Sequence, residues 1–244
     1  MERKFLFFKM HSYYFSEKNQ ELQSSKDIEG FSHSTFSSGL LKVETSCIDL
    51  TREEELLFFD LRSSNRKQIR RAMNREFIIE ELDNPTIRDI YDFQRFYNAF
   101  AKTKDTYSCN AFHINTMKRL RNQNALVITK ILNNDKETLC YRVYISDGEN
   151  VLSLYSASYY KEFKSAIEKR MLSEASRYLL WHNILYFKRT NHKRYDMGGL
   201  TDNENIRNFK LEFGGDIVEV YSGYKAKSSV GKIVLWGRNL YMRR

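Results

Sequence analysis

The sequence is poor in residues that interrupt or cross-link a fold. Its 244 residues include one proline and ten glycines, which excludes a low-complexity or linker-rich chain. The three cysteines, Cys47, Cys109 and Cys140, are odd in number and lack the C-x-x-C spacing of zinc and redox sites. We therefore predict no disulfide framework and no metal, in a protein of a reducing compartment.

Long apolar runs are also missing. The first ten residues, MERKFLFFKM, contain only four consecutive apolar side chains, too few for a signal peptide or a membrane-spanning helix. The sequence thus predicts a soluble cytoplasmic protein without a transmembrane segment, and it leaves the oligomeric state open.

Aromatic and basic residues are plentiful. The 17 phenylalanines and 16 tyrosines can build a substantial core, and 40 Lys and Arg against 31 Asp and Glu give a net charge of +9. This balance favours an anionic partner such as RNA, a phosphorylated substrate or a membrane surface. An RNA-binding module stays an alternative, although the sequence has no RNP or KH signature.

Hydrophobic periodicity divides the chain at about residue 40. Residues 1–40 form an N-terminal extension with a strand at 5–8 and a polar, serine-rich loop over 17–39. Residues 41–244 form one domain, in which an extended segment at 43–50 is followed by a helix with a Thr51-x-x-Glu54 capping box.

The middle of this domain predicts a mixed sheet. Three segments alternate like strands, and Asp147-Gly148 is a strong hairpin signal between the second and the third. The three strands are Leu126–Leu132, Leu139–Ile145 and Val151–Ala157. A long helix over 166–190, capped by Ser165, and a strand at Arg194–Met197 then complete a crossover. We expect that last strand to run parallel to the third, with a ligand at their carboxyl ends.

A second helix after the crossover carries an unusual lysine. We expect it to begin at a Thr201-x-x-Glu204 capping box and to end at Gly214-Gly215. Lys210 lies on its apolar face with Ile206, Phe209 and Phe213. Its stem can pack while the ammonium reaches water, or the charge can meet an anionic ligand.

The densest positive charge lies between residues 62 and 75. The six cations are Arg62, Arg66, Lys67, Arg70, Arg71 and Arg75. Several are four residues apart on one helical face, so they repel one another. A solvated face is one interpretation. Because no acidic residue lies nearby in the sequence, a bound phosphate or carboxylate is the other.

Two segments resemble the GNAT (acyl-CoA N-acyltransferase) superfamily, and within it the Fem-type aminoacyltransferases and their single-domain relatives. The first is LRSSNRKQIRRA at 61–72, preceded by the strand ending in Ile48-Asp49-Leu50. The second is YDMGG at 195–199 with NFKLEFGG at 208–215. The resemblance covers residues 41–225. It implies an α/β (α+β) fold with a mostly antiparallel mixed sheet, one parallel strand pair and flanking helices.

The resemblance also implies an activity. This is metal-independent transfer of an acyl or aminoacyl group, from acyl-CoA or aminoacyl-tRNA, to an amine acceptor such as a cell-envelope precursor. It places Phe209 and Lys210 near phosphates of the donor or the acceptor. The glycine-rich loop of acetyl-CoA-dependent members is replaced here by Ser158–Lys164, which contains no glycine. A GNAT-like scaffold without activity stays a further alternative.

These considerations define the candidate site. The candidate catalytic residues are Asp196, Tyr155 and Tyr195. The candidate substrate-binding residues are Lys210, Phe209, Ser158, Lys161, Lys164, Gly198, Gly199, Arg66 and Arg70. For Asp196 a structural role is the competing interpretation, because an aspartate before a Gly-Gly turn often caps that turn.

Overall fold

The computed structural model describes residues 1–5, 7–17, 26–37, 39–159 and 165–242. Its strands are β1 Glu2–Lys4, β2 Lys9–Tyr14, β3 Ile28–Ser34, β4 Leu41–Asp49, β5 Ile78–Leu82, β6 Leu126–Leu132, β7 Thr138–Ser146, β8 Asn150–Ser158, β9 Arg194–Gly199 and β10 Asp216–Ala226. Its helices are α1 Glu54–Asp60, α2 Ser63–Met73, α3 Ile87–Lys104, α4 Ala111–Arg121, α5 Ala166–Arg189, α6 Glu204–Leu211 and α7 Ser229–Met242.

These elements form two compact units. One comprises Met1–Thr45 with Ile217–Arg244, and the other comprises Ser46–Asp216. The boundaries differ from the predicted division at residue 40, which assigned the last 28 residues to the larger domain. The chain enters the larger unit within β4 and leaves it at the start of β10.

The larger unit is built on a mixed sheet in the order β4-β9-β8-β7-β6-β5. Strands β5 to β8 are consecutively antiparallel. Strand β9 joins β8 in parallel through the crossover helix α5. The predicted fold class, with its meander, long helix and parallel strand pair, is confirmed.

The core of this unit lies between the sheet and α5. Tyr144, Phe187 and Tyr195 are fully buried there and make edge or tilted ring contacts. The Tyr195 hydroxyl donates to the Tyr144 hydroxyl at 2.9 Å, and the side-chain amide of Asn183 donates to that same oxygen at 2.7 Å. The hydrogen bond from Asn183 of α5 to Tyr144 of β7 thus fixes α5 on the sheet.

The basic helix α2 packs along α5. Its apolar side holds Ile69 and Ala72, both fully buried. Glu174 of α5, whose side chain is 1% exposed, accepts a 2.8 Å hydrogen bond from Arg75. A buried carboxylate needs such a partner, so this ion pair fixes one end of the α2–α5 contact.

The smaller unit carries a sheet in the order β1-β2-β3-β10-β4. Strand β3 lies within the segment predicted to be a loop, and it pairs in parallel with β2 and antiparallel with β10. The predicted strand at 5–8 is wrong. Strands β1 and β2 flank these residues instead, and the Phe5 amide donates to the Phe8 carbonyl across the turn.

Two predicted capping boxes are also wrong. Helix α1 begins after Glu53 without a side-chain cap, because the Thr51 hydroxyl donates to Asp49 instead. Helix α6 begins after Asn203, whose side chain accepts from the amides of Asn205 and Ile206. Asparagine competes well for the N-cap position, which shortens the helix to eight residues.

Candidate active site

Strands β8 and β9 diverge soon after they meet. Their parallel pairing covers three residue pairs and ends at Leu152 opposite Asp196. On its other side β8 contains a bulge, because Tyr144 of β7 faces Ser153 whereas Val143 faces Tyr155. A bulge re-aims the backbone groups around it. Beyond this point, the backbone groups of β8 and β9 therefore form no ladder hydrogen bonds between the two strands.

Gly198 lies at this point of divergence. It adopts φ +80°, and a Cβ there would lie 3.1 Å from the Ser153 carbonyl oxygen and 3.6 Å from the Lys210 ammonium. Only a residue without a side chain fits both the conformation and the space. The glycine thus brings the two strands and α6 close together.

The Lys210 side chain reaches this opening from α6. Its ammonium donates to the carbonyl oxygens of Gly198 at 3.0 Å and Gly199 at 2.7 Å. Burial lowers the pKa of Lys210, the Asp196 carboxylate opposes this shift, and the charge of Arg142 reinforces it. An ammonium has three donors, and two are used here. Lys210 is therefore a half-buried, positioned cation rather than a lysine that extends into water.

Asp196 is fully buried beneath the turn that holds Lys210. One carboxylate oxygen accepts from the Gly198 amide at 2.8 Å, and the other lies 3.6 Å from the Arg194 guanidinium. The nearby Cys47 accepts two hydrogen bonds from Arg194. Burial raises the pKa of the Cys47 thiol to about 12, with a further contribution from Asp196. This arrangement supports the turn-capping role of Asp196.

Arg142 was missed by sequence reasoning. It lies in the middle of β7 and is only 5% exposed, and its positive charge opposes the rise in the pKa of Tyr144 that burial causes. Among the described residues no carboxylate forms an ion pair with it. A charged residue inside the apolar run LCYRVYI was the available signal, since a buried guanidinium normally has an anionic partner.

The structure separates the candidate tyrosines. Tyr195 is enclosed in the core, and burial raises its pKa well above the usual value. Tyr155 is half-buried on β8, where its ring contacts Phe93, Tyr97 and His113. The first therefore lies in the core and the second against α3 and α4.

Three candidate binding residues lie at the end of β8 and in the connection from β8 to α5. Ser158 pairs with Cys140 across β7 and β8 and is half-buried. Lys161 and Lys164 lie outside the described residues, so their part in binding stays a prediction.

A basic groove runs between α2 and the first turn of α5. It has a volume of about 500 Å³ and is lined by Ser64, Lys67, Gln68, Arg71, Ala166, Lys169, Arg170 and Ser173. Four of these described residues are cations and none is acidic. Lys169 and Arg170 also lie near the positive end of the α5 dipole, where cations are unfavourable. The groove is therefore suited to an anionic ligand.

A hydrogen-bond network connects this groove with α6. Ser173 donates to Gln68 at 3.0 Å and accepts from Arg177 at 2.7 Å. The Arg177 guanidinium lies 5.5 Å from the centre of the Phe209 ring, and Phe209 precedes Lys210. Burial lowers the pKa of Arg177, while Glu212 opposes the shift. Groove and Lys210 thus lie on connected elements of one unit.

The expectation that the cations of α2 lack acidic partners is partly wrong. Arg62 forms an ion pair with Glu212, and Arg75 and Arg71 pair with Glu174 at 2.8 and 4.0 Å. Both acids are distant in sequence, so a local search could not find them. Arg66 donates to the carbonyls of Phe59 and Leu61, and Arg70 lies over the Phe58 ring.

No protein-family model matches the sequence, and a search of curated proteins finds no match. Solved structures do match. FemX aligns with a TM-score of 0.59 at 11% identity, over 74% of this chain and 60% of that chain. The C-terminal domain of a putative lysylphosphatidylglycerol synthetase from Agrobacterium fabrum aligns with a TM-score of 0.56 at 12% identity, over 87% and 72%. L-PGS from Bacillus licheniformis gives 0.52 at 12%, over 88% and 74%.

These likenesses show the fold. The chain has the GNAT-like fold that its two motif segments predicted, and it spans 60% of the length of FemX. In the described part of the chain, no three His, Cys, Asp or Glu side chains are grouped to hold a metal ion.

Proposed function

We propose that the chain transfers an acyl or aminoacyl group from an activated donor to an amine, at the opening between β8 and β9. The observation that carries this proposal is the Lys210 ammonium, held on the Gly198 and Gly199 carbonyls where the parallel strands diverge. An activated donor is acyl-CoA, a thioester, or aminoacyl-tRNA, an ester. Both bring phosphates with the reacting carbonyl.

The reaction needs positioning more than it needs a strong base. The neutral amine attacks the donor carbonyl carbon, a C–N bond forms, and the C–S or C–O bond to the donor breaks. The amine proton ends on the departing sulfur or oxygen. Holding both reactants in line can lower the activation barrier by about 7–11 kcal/mol. The diverging strands position the donor by admitting it between them.

The oxyanion of the tetrahedral intermediate is assigned to backbone amides at the β8 bulge and to Lys210. Backbone donors that are fixed before reaction stabilise this charge without reorganisation. The third ammonium proton of Lys210 is the one left for the oxyanion or for a donor phosphate. Asp196 acts as a positioning residue, because its carboxylate holds the Gly198 turn that accepts from Lys210.

The basic groove between α2 and α5 is assigned to phosphates of the donor. Lys67, Arg71, Lys169 and Arg170 converge there without an acidic residue in the lining. The contact of Arg177 with Phe209 leads from the groove towards Lys210. A donor that places its phosphates in the groove can thus extend its acyl end towards the strand opening.

The test is a transfer assay with two donor classes. The protein is incubated with a simple primary amine and either mixed aminoacyl-tRNA or a set of acyl-CoA thioesters, and amide products are measured by mass spectrometry. We expect amide formation with one class and slower amide formation in Lys210→Met. Donor binding without any amide product, in a protein that is folded, would instead support a non-catalytic scaffold.

A further inference from the structure

The C-terminal helix α7 has its apolar side turned outwards. Val230, Ile233, Trp236 and Leu240 are exposed to 42%, 68%, 67% and 47%. At 100° per residue they fall within an arc of about 120°. We call these four residues the α7 stripe. A contiguous exposed apolar surface of this kind marks an interaction site.

The opposite side of α7 is the one attached to its own unit. Gly231 lies so close to the Asp27 carbonyl that a Cβ would come within 2.1 Å of it. The Gly231 amide donates to Ser228, which in turn donates to Asp27 at 2.5 Å. The helix is therefore fixed with its stripe outwards, and the exposure does not come from a detached helix.

The chain segment that carries the stripe is basic, although Lys227 is paired with Glu29 of β3. Glu219 is followed by six cations and no acidic residue up to position 244. The cations are Lys225, Lys227, Lys232, Arg238, Arg243 and Arg244. In the described structure Lys232 is exposed beside the stripe, whereas Arg238 lies over the Tyr224 ring on the side of the helix that Gly231 occupies. The complementary partner is thus both apolar and negatively charged.

We infer that α7 binds in the plane of an anionic lipid membrane surface. A helix with exposed Trp, Ile and Leu on one side, in a basic segment of the chain, buries its apolar side at the headgroup–acyl boundary. Each nearby cation adds attraction to acidic headgroups. None of the helices in the described residues is long and apolar enough to cross a bilayer. Binding along the surface is therefore the mode that we assign.

The fluorescence of Trp236 can report this contact with the membrane. Of its two tryptophans, Trp181 is 2% exposed and Trp236 is 67% exposed. We expect vesicles of mixed phosphatidylcholine and phosphatidylglycerol to shift the emission to shorter wavelength and to sediment the protein. Pure phosphatidylcholine should do so much less, and added salt should weaken the binding. Trp236→Phe should remove the spectral shift.

Two matched variants separate the stripe from charge in general. Ile233→Asp and Asn239→Asp each add one negative charge to an exposed position of the same helix, but Asn239 lies outside the stripe. Ile233→Asp should weaken vesicle binding roughly 10- to 100-fold, the range that corresponds to losing one buried apolar side chain. Asn239→Asp should have a small, salt-dependent effect. Both should keep the thermal midpoint.

Three results would overturn the inference. The first is no sedimentation with acidic vesicles, and the second is equal loss of binding in both variants. The third is a protein that does not bind lipid but forms a concentration-dependent dimer, which the Ile233→Asp substitution dissociates. That result would assign the stripe to a second copy of the chain. None of these results depends on the proposed acyl transfer, because α7 lies in the other unit.

Discussion

The buried carboxylate of Asp196 accepts a hydrogen bond from the Gly198 amide, 2.8 Å away, two residues further along β9. This contact shapes the turn whose carbonyls receive Lys210. Asp196→Asn keeps an acceptor for the amide but removes the charge near Arg194. We expect a loss of about 1–3 kcal/mol in the free energy of unfolding, measured by denaturant titration, and nearly unchanged kcat in the folded protein. A general base would instead lose about 10²- to 10⁴-fold in rate.

The closeness of β8, β9 and α6 at Gly198 gives a second prediction. Gly198→Ala forces a Cβ to within 3.1 Å of the Ser153 carbonyl at φ +80°, so we expect lower stability and reduced transfer. Gly148→Ala is the matched control, because Gly148 also has positive φ, at +92°, but has open space around it. Both substitutions carry the left-handed backbone penalty of about 1–2 kcal/mol. Equal activity in the two variants would show that the close approach at Gly198 is unimportant for transfer.

The basic groove predicts a charge effect on donor binding. Lys169→Glu should weaken binding of the phosphorylated donor by about tenfold or more, since it replaces attraction by repulsion. The thermal midpoint should stay constant or rise, because repulsion among the groove cations is relieved. Lys102→Glu, on the exposed end of α3, is the control for net charge. If both variants bind the donor equally, the groove is not the phosphate site.

The reactivity of the three cysteines with a thiol reagent tests whether the core around them is closely packed. Burial raises the pKa of Cys47 to about 12 and those of Cys109 and Cys140 to about 11. At pH 8 almost none of these thiols is ionised, and all three are enclosed. A thiol reagent should therefore label none of them in the native protein and three after denaturation. Rapid native labelling of Cys140 would contradict the packing of α5 against the sheet.

Local patterns predicted the elements around the site but not the contacts between them. The alternation of β6 to β8 and the Asp147-Gly148 turn were sufficient for the meander, because both signals depend on adjacent residues. By contrast, the partner of Arg75 lies 99 residues away. Helical spacing placed Ile206 on the apolar face of α6, but tertiary packing leaves its side chain 47% exposed.

The candidate site residues were likewise predicted well where the signal was local and poorly where it depended on tertiary contacts. Sequence reasoning selected Lys210 from its place on an apolar face, and the structure places it at the strand opening. It did not select Arg142 or the groove cations of α5, because the convergence of β7, α2 and α5 depends on tertiary packing. Tyr195 was selected by its place in a motif, which does not reveal that its hydroxyl is enclosed with that of Tyr144.

The alkaline pH dependence of the reaction follows from the lowered pKa of Lys210. Because the charged form is required, kcat/KM should fall as pH rises through a value below the usual 10.5. Lys210→Arg should move this limb to higher pH, since arginine stays charged. The free energy of unfolding should change with pH in the opposite direction. In the window between the lowered pKa and 10.5 the unfolded chain binds more protons, so the free energy of unfolding rises with pH.

The most direct test of the central claim compares Lys210→Met with the wild type in the transfer assay, once the accepted donor class is known. Methionine keeps an apolar stem and removes the charge. The account predicts a fall in kcat/KM of roughly 10- to 150-fold, equivalent to losing a charged hydrogen bond of about 1.5–3 kcal/mol, with an unchanged or slightly higher thermal midpoint. Lys102→Met should leave both quantities unchanged. A Lys210→Met protein that is folded and transfers the acyl group at the wild-type kcat/KM would contradict the account.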